Sequence, residues 1–277
     1  MIKDLVVHLS AAGQPDAAGA FAISIAEAFG AHVSGVAFSY EPVIPPTIMG
    51  TIPASLIEQQ RAENDKAAGD ARAKFDAAAR RAGVAFDSRI LTASLPGSAD
   101  RFGEIARRFD LSVVGQAEPG LLAGAQELVA ESALFASGRP VVLVPYIQKT
   151  GLKLDRIMVC WDASRTAARA AADALPLLAR AKAIDVVMIA SERPKSDDIP
   201  GADIGQHLAR HSLKVEVKRI VATDSDVAST ILSHAADSSA DFIVMGGYGH
   251  SRLREFVLGG ATRGILSAMT VPVLMSH

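Results

Sequence analysis

The chain has 277 residues, a formal net charge of −2, 49% hydrophobic and 5% aromatic residues, and a mean hydropathy of +0.25. That size suits one large or two ordinary domains with well-filled cores, and the balanced charge leaves no basic footprint for nucleic acid. The single cysteine, Cys160, rules out an internal disulfide framework and fits a reducing compartment; no apolar run reaches the length of a membrane span. A cytoplasmic protein is expected, with neither nucleic acid nor membrane as partner.

In the first half, Leu5–Leu9 reads as a strand, Asp16–Phe29 as an Ala-rich helix and His32–Ser39 as the next strand. The Pro-rich stretch Pro42–Pro53 predicts an irregular loop, because proline denies a ladder its donors. Ser55–Arg81 then predicts a long helix of Ala, Arg, Lys and Glu. Phe86–Leu91 is a third strand and Ser98–Arg108 a helix with Ser98 as its N-cap. Leu111–Gly115, a helix near Gln126–Ala136 and the strand Pro140–Pro145 complete the half.

A short polar linker, Tyr146–Leu154, leads into a second series. Arg156–Asp162 predicts a strand and Ser164–Ala181 a helix bent at Pro176. Strand Ile184–Ala190, helix Gly201–His211, strand Lys214–Val221, helix Asp226–Ala236, strand Phe242–Gly246, helix Thr262–Met269 and strand Val271–Met275 follow.

The two series repeat one order of elements, and the ends align closely. Gly115 precedes Pro140 by nearly the distance that Gly246 precedes Pro272, 25 against 26 positions. A duplicated β-α-β-α-β-α-β-α-β unit explains both halves, and alternation of strands with helices predicts parallel sheets with right-handed crossovers. The fold class expected is α/β, two tandem doubly wound domains over 1–146 and 152–277, each a five-stranded, mainly parallel sheet flanked by helices. Ligands of such sheets sit beyond the carboxyl ends of the strands, where Asp162, Ala190 and Gly246 fall.

The stretch from Asp241 to Arg263 carries the strongest chemical signal. A buried apolar run ends on Gly246, crosses a Gly-rich turn and returns at Gly259-Gly260, which open a helix. Glycines let a backbone approach a ligand closely, and a helix N-terminus offers unpaired N–H groups and the positive end of its dipole. Together they predict an anion cradle, most naturally for phosphate. Read separately, Gly246-Gly247-Tyr248-Gly249 is also a flexible turn and Gly259-Gly260 also a plain helix start. Asp162 is either a cap for the helix near Ser164 or a ligand group, and one side chain can serve both.

These residues resemble the universal stress protein family in its tandem two-domain form. The signature of the family's ATP-binding members is Gly-x2-Gly-x9-Gly-Ser/Thr, and Gly246, Gly249 and Gly259 match that spacing. The resemblance implies a Rossmann-like fold of the adenine nucleotide alpha hydrolase type, binding ATP, or ADP or AMP, with or without Mg. Carried over by position, Met245 and Gly246 lie near the ribose or adenine. Gly249, His250, Ser251 and Arg252 follow the phosphates, and Gly259, Gly260, Ala261 and Thr262 close the cradle. Asp162 matches the acidic residue beside adenine and Ala190 a small apolar position on the base; Trp161 departs from the pattern as a bulky residue beside Asp162 that narrows the base pocket. The resemblance also implies an intramolecular pseudo-dimer through Val141–Val144 and Val273–Met275, homodimer formation, and an unknown protein partner.

Two further departures stand out. Gly260 occupies the Ser/Thr position, so one phosphate-bonding hydroxyl is missing, with Thr262 as a partial substitute; the loss is worth about 1 kcal/mol. In the first half Gln116-Ala117-Glu118-Pro119-Gly120 follows Gly115 without the glycine spacing, Ser10 replaces the acidic residue, and Glu127 adds negative charge. That half is not expected to bind nucleotide. No Walker lysine, Gly-x-Ser-x-Gly elbow or His-Glu-x-x-His is present and the seven histidines show no metal-ligand spacing, so at most slow ATP hydrolysis is expected, with no catalytic or metal residues. The competing expectation is an interaction scaffold or small-molecule-binding stress protein without nucleotide.

Overall fold

The computed structural model of the chain describes residues 1–10, 16–41, 53–117, 123–190, 202–221, 226–247 and 260–277. It separates into two compact units, Met1–Arg139 and Pro140–His277. The expected Pro42–Pro53 loop lies outside the described residues except for its last residue, Pro53, which precedes a helix.

The first unit runs β1 (Asp4–Leu9), α1 (Ala17–Phe29), β2 (His32–Tyr40), α2 (Ala54–Ala82), β3 (Phe86–Ala93), α3 (Leu95–Ala106), β4 (Leu111–Gly115) and α4 (Ala123–Ala136). Its strands pair in parallel in the order β3-β2-β1-β4, with Leu5 beside Val33 on one flank and Leu111 on the other. Leu5, Val6, Val7 and Val113 are buried because both faces of this sheet are covered by helices. Asp16 caps α1 by accepting the Gly19 N–H at 2.9 Å.

The cap of α3 differs from the one read in the sequence. Ser94, not Ser98, is the N-cap; its Oγ accepts from Gly97 N, and Pro96 sits in the first turn, where a missing N–H costs nothing. Ser98 is already helical and fully buried, and its hydroxyl donates back to Leu95 O at 2.7 Å.

The second unit runs β5 (Val141–Val144), β6 (Arg156–Cys160), α5 (Arg165–Asp173), α6 (Leu175–Leu178), β7 (Ala183–Ala190), α7 (Ala202–Arg210), β8 (Val215–Val221), α8 (Val227–Asp237), β9 (Phe242–Gly246), α9 (Gly260–Ala268) and β10 (Val273–Ser276). Its strands pair in the order β5-β10-β9-β6-β7-β8. All neighbours are parallel except β5 and β10, which run antiparallel with Leu143 beside Val273 and Val141 beside Met275. This antiparallel pair joins Val141–Val144 to Val273–Met275, the two strands whose pairing the sequence led us to expect.

Two helices of this unit also depart from expectation. The helix over Ser164–Ala181 is two pieces: Ala174 ends α5 and begins α6, and Pro176 lies in the first turn of α6 instead of inside one bent helix. The last helix starts at Gly260, two residues before Thr262, so the second glycine of the pair is helical. No described helix is long and apolar enough to cross a membrane.

Candidate functional site

In the second unit the sheet order reverses between β6 and β9: β7 and β8 extend one way, β10 and β5 the other. In doubly wound sheets a ligand crevice lies beyond the carboxyl ends of the strands at such a reversal, which here are the ends of β6 and β9. Ile157, Met158 and Val159 lie beside Phe242, Ile243 and Val244, so the two strands finish side by side and bring Trp161 and Asp162 to the same edge as Met245 and Gly246.

The β6 end is a defined turn. Trp161 N donates to Val187 O at 2.8 Å, extending the β6–β7 ladder by one residue. The chain then turns at Ala163, whose φ of 59° is left-handed, a conformation that costs a residue with a Cβ roughly 1 kcal/mol. Asp162 Oδ1 holds this turn by accepting the Ser164 N–H at 2.9 Å, and Ser164 in turn caps α5 by accepting from Ala167 N at 3.1 Å. The cap is thus Ser164; Asp162 stands outside the helix, exposed, with Oδ2 unpartnered among the described residues. Burial pushes the Cys160 thiol up to about 12, with the charge of Asp162 adding to it, so the thiol is protonated at neutral pH.

The β9 end is close-packed. A Cβ on Gly246 would stand 2.6 Å from Ala167 N and from Thr166 Oγ1, so only glycine lets the first turn of α5 press onto this strand. Met245 is buried and pairs with Met275 of β10. Gly247 N donates to Ser276 O at 2.9 Å, and His277 Nδ1 donates to Gly247 O at 3.1 Å.

Gly249, His250, Ser251, Arg252 and Gly259 lie outside the described residues. The helix that follows is described: α9 connects parallel strands β9 and β10, so its N-terminus lies at the carboxyl end of the sheet, and its first turn holds no acidic residue. Gly260 and Ala261 are open to solvent to different degrees, whereas Thr262 is buried. Ala190 closes β7 beside β6, with its partner Val221 at the end of β8.

The same corner of the first unit is built differently. The order reverses between β1 and β4, yet the residue after β1 is Ser10, whose Oγ accepts Gln126 Nε2 at 3.3 Å. Among the described residues a Cβ on Gly115 would make only ordinary contacts, 3.7 Å to Ala18 Cβ, so none of their helices is pressed onto β4 as α5 is onto β9. Among the described residues no group of three or more His, Cys, Asp or Glu side chains could hold a metal ion.

Sequence reasoning missed two features here. Gly264 carries α9 against α8, where a Cβ would come within 2.5 Å of Ala228 Cβ; the sequence signal was a glycine inside a helical pattern. His8 lies between Phe38 and Phe102, with ring centroids at 5.8 and 5.6 Å, and neither ring nitrogen has a hydrogen-bond partner among the described residues.

Comparison with known proteins supplies the family. Residues 153–277 match the model of the universal stress protein family. This part of the chain is a universal stress protein domain. A universal stress protein of Synechocystis is 33% identical over 67 residues, 24% of this chain and 22% of that relative's own length. The likeness in fold extends over both units: the crystal structure of a universal stress protein from Archaeoglobus fulgidus is similar with a TM-score of 0.70, covering 99% of this chain and 95% of that one at 14% identity. Another universal stress protein similar to this chain was solved in complex with cAMP, at 17% identity over 52% of this chain and 98% of that chain, with a TM-score of 0.34.

Proposed function

We propose that the stress-protein domain over residues 152–277 binds an adenine nucleotide, ATP in preference to ADP or AMP, at the carboxyl ends of β6 and β9. The observation that carries this reading is the spacing Gly246-x2-Gly249-x9-Gly259, which begins where β9 ends, beside the reversal of strand order. Asp162, with one oxygen engaged by Ser164 and the other unpartnered among the described residues, supports adenine recognition. Trp161, Met245, Gly246 and Ala190 surround the base and ribose in this reading. Gly249, His250, Ser251, Arg252 and Gly259 take the phosphates, with or without Mg, together with Gly260, Ala261 and Thr262 at the start of α9.

Nucleotide state then biases contacts with a protein partner in the cytoplasm, and two chains associate as a homodimer. The domain over 1–146 binds no nucleotide; the Ser10–Gln126 hydrogen bond, set where the second half has Asp162, supports that assignment. No residue is assigned to catalysis, and hydrolysis of bound ATP is slow at most. Isothermal titration with Mg-ATP, ADP and AMP tests the reading: one saturable site per chain is expected. Two sites would restore the first half as a binder. No heat up to millimolar ATP would favour the scaffold, for which the missing hydroxyl at Gly260 is the specific support.

A further inference from the structure

At the other end of the second unit's sheet, a cavity of about 750 Å³ opens at the amino ends of β6, β7 and β8, alongside α7. That volume lies within the range of small-molecule sites. Its apolar lining includes Ile184, Leu213, Val215 and Val217, and Ala209 faces it from α7. The polar lining is organised around Asp185, only 1% exposed. Arg156 Nη1 donates to both Asp185 oxygens, at 3.0 and 2.9 Å, and Lys218 Nζ reaches Oδ2 at 3.1 Å. A buried carboxylate with two cations is a fixed point: it orients the guanidinium and holds positive charge at the cavity.

The charges do not cancel. Lys218 also meets Glu216 at 3.3 Å, and Lys182 meets Asp155 at 2.6 Å. Among the charged residues that line the cavity, Arg156, Lys182 and Lys214 stand against Asp185 and Glu216, and Lys214 is the one of these cations without an ion pair among the described residues. The remaining donors of Arg156 and the amide of Gln206 likewise have no partner among them. An apolar wall with a surplus of cationic donors suits one ligand class.

We propose that this cavity binds a small amphipathic anion, a carboxylate or phosphate group carried on an apolar body. The anion meets Lys214, Arg156 and Gln206, and the body lies on Ile184, Val215 and Val217. The site is separate from the carboxyl-end crevice and stands whether or not nucleotide binds there. Because β6 and β7 run from one to the other, an occupant here touches the same strands that end at Trp161 and Ala190.

Isothermal titration of the full chain with octanoate tests this, with octyl phosphate, octanol and acetate as comparisons. Saturable binding of octanoate or octyl phosphate at one site per chain is expected, and whichever binds tighter identifies the anionic group. Octanol and acetate bind far more weakly. Lys214→Glu, at an exposed position, weakens binding about tenfold, and Ala209→Phe, which fills the cavity from an exposed helix position, abolishes it; circular dichroism checks that both variants fold. Absence of binding by either anion up to about 10 mM, equal binding of octanol, or wild-type affinity in both folded variants overturns the proposal.

Discussion

Gly246 and Ala167 are in a contact that excludes a side chain: a Cβ on the glycine would stand 2.6 Å from the alanine nitrogen. The obstacle is backbone at the start of a capped helix, so it cannot rotate away. Gly246→Ala should therefore destabilise the second unit by about 1–3 kcal/mol, the usual range for overpacking. Gly249→Val should leave the urea midpoint unchanged while removing nucleotide binding. Urea unfolding of both variants measures the first effect, and titration with ATP the second.

Asp162 holds the turn before α5 and, in the proposed function, also meets adenine. Asp162→Asn keeps an oxygen for the Ser164 N–H and should leave stability within about 0.5 kcal/mol of wild type, while changing nucleotide affinity through the altered charge and donor pattern. Asp162→Ala also removes the hydrogen bond that holds the left-handed Ala163, and should cost about 1 kcal/mol of stability besides. Equal ATP affinity in all three proteins would show that Asp162 only shapes the turn.

Gly260→Ser should strengthen ATP binding. A hydroxyl at the first turn of α9 adds a hydrogen bond to a charged oxygen, worth about 1.5 kcal/mol, or roughly tenfold in Kd. A Cβ on Gly260 meets nothing within 4 Å among the described residues. An unchanged Kd would place phosphate away from this helix start.

His8 and Asp16 pull the pH dependence of stability in opposite directions. Burial lowers His8 from 6.5 to about 4, so its contribution is fully present above pH 6.5 and is lost as pH falls towards 4. Burial raises Asp16 from 3.8 to about 6, with the Gly19 N–H and Lys74 opposing; its contribution is present below 3.8 and is lost as pH rises through 6. Between pH 6 and 4 the two slopes offset. His8→Phe removes one of them and two unpartnered nitrogens, so the variant should gain about 2 kcal/mol over wild type at pH 4.5 compared with pH 7.5. Urea unfolding at the two pH values reads that difference; an equal effect at both would show that His8 does not titrate in the unfolding reaction.

Much of the fold was legible because parallel strands buried on both faces read as unbroken aliphatic runs. Val113-Val114 and Val141–Val144 could hardly be anything else. Helix ends were harder, since capping is decided by geometry that several residues offer. Ser94 and Ser98 both precede helical patterns, and the position of Pro96 decides between them. Pro176 marked an interruption, but not whether the helix would bend or restart.

The setting of the candidate site was legible in part for the same reason. Asp162 and Gly246 stand at strand ends, and strand ends follow from the pattern. The tight fit of α5 on Gly246, the cap at Ser164 and the Gly264–Ala228 contact depend on how helices lie across the sheet, which no local pattern encodes. The amino-end cavity around Asp185 was invisible for a similar reason: Arg156, Asp185 and Lys218 come from three strands, and only their register joins them. Removing Asp185 as Ala would leave Arg156 and Lys218 without their shared carboxylate and should cost about 3 kcal/mol, measurable by urea unfolding.

The most direct test of nucleotide binding in the second half is the Mg-ATP dissociation constant of wild type, Gly249→Val and Ser10→Ala, measured side by side by calorimetry. Loss of binding in Gly249→Val with wild-type affinity in Ser10→Ala is the predicted result. Loss in Ser10→Ala, or equal affinity in all three, would contradict the assignment.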